Sequence, residues 1–406
     1  MFFNPKYILI MSKNSNSHQF IFDRIIAIIL VVMLCVQLAA IEGSGVSNIK
    51  VAIMALSPLI IITRTSYVTK AMLWGLVYWL TCYFVALFHG EMRFSTLGYL
   101  GLFVSTFIAY YGLLQKGVFS ITSFKRFLGI LIKVFAIVLV LQQICMLVGI
   151  HNMPIINLDN QAFLALDKLP SLCIEPSHTA RILAVAMLCY MRCLELMNDR
   201  VRPTVKQLFQ GENRWVTISF LYCMLTMGSG TSFIALGLLS LYFIRRKTAF
   251  YVVPVIVALI GLGSMLELKQ FDRAISIVQA TTTGDSDDIA EADGSASARV
   301  IPLLNTLTMD LFDKDNWLGK GTTSKEVAAK WWNYKKNKIA VVDQYGILGL
   351  ITSFILLLTC IIRRFLCIEM LLFVILFGLS LINVAYIWGA MFMFAAVRHF
   401  QEQSDC

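Results

Sequence analysis

Apolar runs of about 15 to 23 residues recur along most of this chain, the first of them Phe20 to Ala40. A helix needs about 20 apolar residues to cross a hydrocarbon core about 30 Å thick. Lipid leaves backbone groups no partner outside helices or closed barrels. A barrel would show alternating segments of about ten residues, and the sequence has no such pattern. The chain therefore reads as an all-α polytopic membrane protein. Composition agrees, since only 14% of its residues are charged, against about 25% in an ordinary soluble domain.

Twelve candidate spans are centred near residues 31, 55, 79, 105, 139, 188, 221, 238, 257, 351, 373 and 390. With the N-terminus inside, twenty basic residues fall on the cytoplasmic side. The short outside loops keep only Lys50, Arg93, Lys168 and Arg181. An excess of this size sets the orientation, because cytoplasmic loops retain Lys and Arg. Residues 1–266 then carry spans one to nine, with a medium periplasmic loop at 150–177. Residues 267–340 form one large periplasmic loop, and 341–406 hold the last three spans and a cytoplasmic tail, so both termini are cytoplasmic. The first run is longer than the 7–15 residues of a cleaved signal core, and it reads as an anchor.

The same threading accounts for the net charge of +10. Basic residues in inter-helix loops report topology, not nucleic-acid binding. Eight of the ten cysteines lie in or beside apolar runs, and no C-x-x-C occurs. They read as small hydrophobes, with no disulfide framework. The five histidines lack ligand spacing, so no metal is expected.

The large loop contains "TTTGDSDDIAEADGSAS", a solvated linker whose acids do not fit calcium-loop spacing. Arg299 to Phe312 sets Val300, Leu303, Leu304, Leu307 and Leu311 on one helical stripe. A second helix is expected from Thr323, where Glu326 completes a capping box. It carries Trp331 and Trp332, which suit either a headgroup belt or platforms for sugar faces.

The densest chemistry lies in "SLCIEPSHTARIL", Ser171 to Leu183. Proline favours the first turn of a helix, which puts Glu175 at the cap, Pro176 at N1 and His178 at N3 of the sixth span. Glu175, His178 and Arg181 follow one another at i,i+3 and can share a helix face. A plain capped helix start is the simpler reading. As a site, a carboxylate and an imidazole move protons, and a guanidinium with free helix N–H groups holds phosphate. Arg181 falls one turn inside the membrane, where a charge is costly, unless it snorkels outward. Asp343 in "AVVDQYGILGLI" marks the mouth of the tenth span, as a cap or an acid. Ser229 belongs to "GSGTS", a tight turn or a nest of amides. That stretch lacks a phosphate-loop lysine, and nucleotide binding is rejected.

Outside the cytoplasmic membrane a transferase has no nucleotide-sugar supply, so its donor must already be lipid-borne. A polyprenyl pyrophosphate sugar fits the cations at the outer face. The ordered set "EPSHTA", "GSGTS", "SARVIPLL" with "NWLGKG", and "DQYGILGL" resembles the O-antigen polymerases (Wzy type) of the O-antigen ligase and polymerase superfamily. The resemblance runs from about Leu172 to Leu350.

It implies a bacterial inner-membrane glycosyltransferase with one large periplasmic loop, similar to the GT-C architecture. Such an enzyme moves a growing glycan from undecaprenyl pyrophosphate onto a lipid-linked repeat unit, with no cofactor. Its implied partners are undecaprenyl-pyrophosphate-linked oligosaccharide, membrane lipids and a chain-length regulator. By matching motif, Glu175 and His178 act near the acceptor hydroxyl, with Asp343 as a further acid, while Arg181, Arg299 and Ser229 belong to the pyrophosphate side and Trp331 and Trp332 to the glycan. Asp343 stands where ligases typically have histidine. Two departures are that glycine follows the acid closely in "DQYG" and that no tryptophan follows Arg299 closely. A ligase acting on lipid A core and a polysaccharide flippase are the alternatives.

Overall fold

A computed structural model describes residues 17–38, 47–65, 67–88, 93–158, 168–244, 294–321 and 337–404. Among these it is helical, with one isolated β-bridge between Met153 and Leu158. The helices are α1 (Ser17–Cys35), α2 (Asn48–Ala55), α3 (Ser57–Arg64), α4 (Lys70–Phe88), α5 (Phe94–Gln115), α6 (Ile121–Leu147) and α7 (Pro176–Met197). They continue with α8 (Gly211–Thr226), α9 (Gly230–Ser240), α10 (Gly294–Leu307), α11 (Lys314–Leu318), α12 (Ala340–Leu356), α13 (Ile368–Phe377) and α14 (Ala385–Gln403). Four described helices are long and apolar enough to span a bilayer: α4, α5, α6, and α12 with the π turn that extends it to Ile361.

Side-chain spacing shows which faces meet lipid. On α6, Ile130, Val134, Ile137, Leu141 and Ile144 are all exposed, and on α4 so are Leu73, Leu76, Leu80, Phe84 and Leu87. Steps of three and four make each set one stripe along its helix. Unbroken apolar stripes of this length on the exterior require an apolar solvent, so the chain is membrane-embedded. The inner layer is α5, α7 and α14. Tyr110 stacks on Phe392 at 4.5 Å and Phe103 on Trp388 at 6.0 Å, joining α5 to α14. α7 is buried almost throughout, between α6, α9 and α14.

The span expected near residue 55 is two short helices. Pro58 lies in the first turn of α3, and the Leu56 N–H bonds Ile53 O instead of continuing the ladder. Proline removes a donor and crowds the carbonyl four residues back, which breaks the rod. The spans near 238 and 373 are also short, Gly230–Phe243 and Ile368–Phe377, below the length that crosses a bilayer unaided. The span near 257 lies outside the described residues, as do Trp331, Trp332 and the capping box from Thr323.

In the loop piece that is described, α10 starts earlier than its apolar stripe and stops at Leu307. Phe312 N–H turns to the Asp310 carboxylate at 2.9 Å, a local bond that competes with helix continuation. Leu311 and Phe312 are consequently exposed, not aligned on the α10 stripe.

The piece then docks on α12 by backbone contact. Gly346 interrupts α12 with φ 65° and ψ −167°, and a Cβ there would sit 2.1 Å from Trp317 O. Into that gap the chain feeds Gly319, with φ 68°. Lys320 N–H donates to Asp343 O at 2.8 Å and Gly321 N–H to Gln344 O at 3.2 Å. The early glycine of "DQYG" is there because the "NWLGKG" backbone packs directly against it.

The bundle has two polar ends. At one, Arg24 Nε donates to Val118 O, Arg64 pairs with Asp23, and Arg398 caps the Ile362 carbonyl freed by the π turn. At the other lie residues 37, 47–50, 93–96, 157–158, 168–178 and 383–386.

Candidate functional site

Glu175 is the N-cap of α7 and Pro176 opens it, as the sequence predicts. The segment before it is held by buried amides. Asn157, left-handed at φ 58°, donates from Nδ2 to Gln37 O at 2.8 Å, and to Ser171 O and Cys173 O at 2.9 Å. Gln142 Oε1 accepts from Ser171 N at 2.8 Å, and Ser171 Oγ donates to Phe135 O at 2.7 Å. Gln37 N–H closes the clasp on Leu172 O at 2.7 Å. Buried polar groups this completely paired hold one conformation, so the start of α7 is rigidly placed between α1 and α6.

His178 occupies the result. Its Nδ1 is 3.0 Å from Gln37 Oε1, and its Nε2 is 3.6 Å from Glu175 Oε2. When Nδ1 donates to Gln37, the neutral ring keeps its lone pair on Nε2. A proton gained there is stabilised by the neighbouring carboxylate. Glu175 is 61% exposed and also accepts from Ser177 Oγ at 3.2 Å. The pair can therefore take up a proton from solvent-side substrate.

Beneath it, the His178 ring stacks on Tyr386 of α14, with centroids 4.2 Å apart. Arg181 lies under the same ring, its guanidinium carbon 5.3 Å from the centroid and its Nη1 donating to Tyr386 Oη. Arg181 is only 9% exposed, so it does not snorkel. Its Nε is buried with no hydrogen-bond partner among the described residues. The i,i+3 series forms a stack, Glu175 outermost, His178 next and Arg181 deepest.

The stack borders a cavity of about 380 Å³ lined by Gln37, Lys50, Arg93, Tyr99, His178 and Tyr386, among others. That volume is typical of small-ligand sites, about 300–1,000 Å³. Among the described residues no carboxylate lines it, while Lys50 and Arg93 do, which suits an anion. Three of the four cations that the threading leaves in short outside loops thus gather at one place. Lys50 and Arg93 carry no local motif, and charge sorting alone points to them. Gln37 and Tyr386 have no sequence signal, being polar residues inside apolar runs.

Other expected site residues fall elsewhere. Asp343 is 5% exposed, with its carboxylate 3.9 Å from Lys320 Nζ, and it does not line this cavity. Ser229 is the N-cap of α9 and is likewise absent from the lining. Gly228, at φ 67°, and Ser232, whose Oγ donates to Ser229 O at 2.5 Å, make "GSGTS" a tight turn. Arg299 belongs to α10, but its side chain lies outside the described residues. Among the described residues there is no group of three His, Cys, Asp or Glu that could hold a metal. Comparisons with protein-family models, curated proteins and solved structures find no match to this chain.

Proposed function

We propose that this chain is a multi-pass polymerase of surface glycan in the bacterial inner membrane, with both termini cytoplasmic. It joins a glycan carried on undecaprenyl pyrophosphate to a lipid-linked repeat unit at the periplasmic face. The observation that carries the reading is the cationic cavity beside the Glu175–His178 pair, at one end of a membrane-embedded bundle. The acceptor hydroxyl gives its proton to this pair as its oxygen attacks the anomeric carbon of the donor. A glycosidic C–O bond forms, the C–O bond to pyrophosphate breaks, and the electron pair leaves on the pyrophosphate oxygen. Lys50 and Arg93 stabilise that developing charge, a term of the kind that dominates many enzymes. Arg181 orients the acid–base pair through Tyr386, and Arg299 would add a further contact to pyrophosphate from the large loop.

The test is glycan length in the native host, read on a lipopolysaccharide gel at matched protein level. Glu175→Ala and His178→Gln are expected to reduce the ladder to single repeat units. A full ladder from both variants overturns the assignment. Loss of the single capped unit as well would replace it with the ligase or flippase reading.

A further inference from the structure

A groove of about 650 Å³ runs between α1 and α6. One wall is Arg24, Ile28, Val32 and Val36, at steps of four along α1 and its continuation, where Val36 N–H still bonds Val32 O at 2.8 Å. Arg126, Ile130 and Val134 line it from α6 at the same spacing, with Phe127 and Leu131 beside them. Such steps keep each set on one face of its helix. Ile130 and Val134 are exposed, so the groove opens to lipid. Both its ends are pinned. Arg24 Nε donates to Val118 O at 2.9 Å just before α6. At the far end Gln37 N–H donates to Leu172 O at 2.7 Å, while Gln142 of α6 bonds Ser171 through both its amide atoms. The walls are thus set before any occupant arrives, as in most ligand sites.

The charge of this groove lies at one end only. Arg24 and Arg126 line it, and among the described residues no carboxylate joins them. The acid next in sequence, Asp23, pairs with Arg64 at 3.4 Å. Arg24 gives one of its five N–H donors to Val118 O and holds its guanidinium 5.0 Å from the Phe20 ring centroid, and neither contact neutralises its charge. Arg126 is exposed and makes no hydrogen bond or ion pair with the described residues. Ser120 and Ser123 close a capping box on each other, which leaves the two guanidinium groups to set the chemistry there. Val36 and Leu172, at the far end, are apolar. A cationic head site followed by an apolar track matches an anionic amphiphile, and basic pockets beside membrane helices suit anionic headgroups. From Arg24 to Val36 the wall rises about 18 Å. That is over half of a hydrocarbon core about 30 Å thick, enough to hold a lipid chain as well as its head.

We propose that this groove binds one anionic phospholipid, its phosphate on Arg24 and Arg126 and one acyl chain along Val32, Val36, Ile130 and Val134. Its head lies at the end of the bundle opposite the Glu175–His178 pair, so the lipid is a bound component of the fold and not a substrate of the transfer.

The test uses the purified full-length chain in neutral detergent, titrated separately with phosphatidylglycerol and phosphatidylcholine of identical acyl chains and read by native mass spectrometry. Phosphatidylglycerol is expected to bind at least tenfold more tightly. Arg126→Gln changes an exposed side chain and is expected to weaken phosphatidylglycerol at least tenfold, with the melting temperature of lipid-free protein unchanged. Ile130→Trp keeps both arginines but fills the track, and it should weaken phosphatidylglycerol comparably at the same melting temperature. Equal binding of the two lipids, or unchanged phosphatidylglycerol binding by Arg126→Gln, overturns the site. Unchanged binding by Ile130→Trp, or displacement of phosphatidylglycerol by an equal concentration of chain-free glycerophosphoglycerol, overturns the acyl track in favour of a site for the phosphodiester alone. Tighter binding of a polyprenyl phosphate than of phosphatidylglycerol overturns the phospholipid in favour of an isoprenoid chain.

Discussion

Gly346→Ala tests the junction between the large loop and α12. The backbone there, φ 65° and ψ −167°, is open essentially to glycine alone, and another residue costs about 1–3 kcal/mol. The added Cβ would also stand 2.1 Å from Trp317 O, so residues 317–321 must move away. That movement breaks the bonds from Lys320 N to Asp343 O and from Gly321 N to Gln344 O, each contributing about 0.5–1.5 kcal/mol. Together the local destabilisation is about 3 kcal/mol, which corresponds to roughly 100-fold faster opening at 1.36 kcal/mol per decade. Hydrogen–deuterium exchange of the detergent-solubilised protein reads it directly at the Lys320 and Gly321 amides. Gly98→Ala is the control. Its Cβ meets nothing within 4 Å, and alanine in a helix gains about 0.5–1 kcal/mol over glycine, so exchange at residues 320 and 321 should not change. If Gly346→Ala also left both amides at the wild-type rate, the direct backbone packing of the loop on α12 would be wrong.

Lys50→Ala/Arg93→Ala removes both cations from the outer cavity lining. Charged hydrogen bonds contribute about 1.5–3 kcal/mol each, so donor affinity in reconstituted membranes should fall at least tenfold, while Lys168→Ala leaves it unchanged. Tyr386→Phe keeps the ring over His178 but removes the acceptor of Arg181 Nη1. It is expected to destabilise the protein by about 1.5–3 kcal/mol, seen as a lower melting temperature in detergent and shorter glycan at matched expression. An alkaline phosphatase reporter fused after Asp288 is expected to be active, and an inactive reporter at equal expression would reverse the orientation.

How much was legible follows from the range of the interactions. α4, α5 and α6 match their apolar runs because the requirement to bury backbone in lipid acts along one contiguous stretch. The Glu175 cap and Pro176 are local too, and the structure keeps them. The break at Pro58 is a local signal overridden in the sequence reading by the continuous hydrophobicity around it. The site itself is different. Lys50 and Arg93 reach His178 only through the packing of α2 and α5, and Tyr386 reaches Arg181 from 205 residues away. No window along the chain contains those pairings. Asp343 has the sequence character of a site acid, and the structure places its carboxylate 3.9 Å from Lys320 Nζ, outside the lining of the His178 cavity, while its backbone carbonyl holds the loop. Gly346 reads as a mere spacing irregularity until Trp317 and Gly319 are placed against it.

The Arg181–Tyr386 contact also constrains how the protein is made. Arg181 is buried in α7, and its partner sits in α14. At about 5–20 residues per second, the 205 residues between them take roughly 10–40 s to synthesise. Throughout that interval the guanidinium has neither its hydroxyl partner nor the aromatic face that will cover it. An unpartnered cation is costly in a membrane, so α7 stays near water or headgroups until α14 arrives. α14 is therefore the helix that seals the site, and a chain stopped short of Tyr386 carries a charge without the partner that covers it. Such a product would carry as a liability the very residue that the finished fold places beneath its histidine.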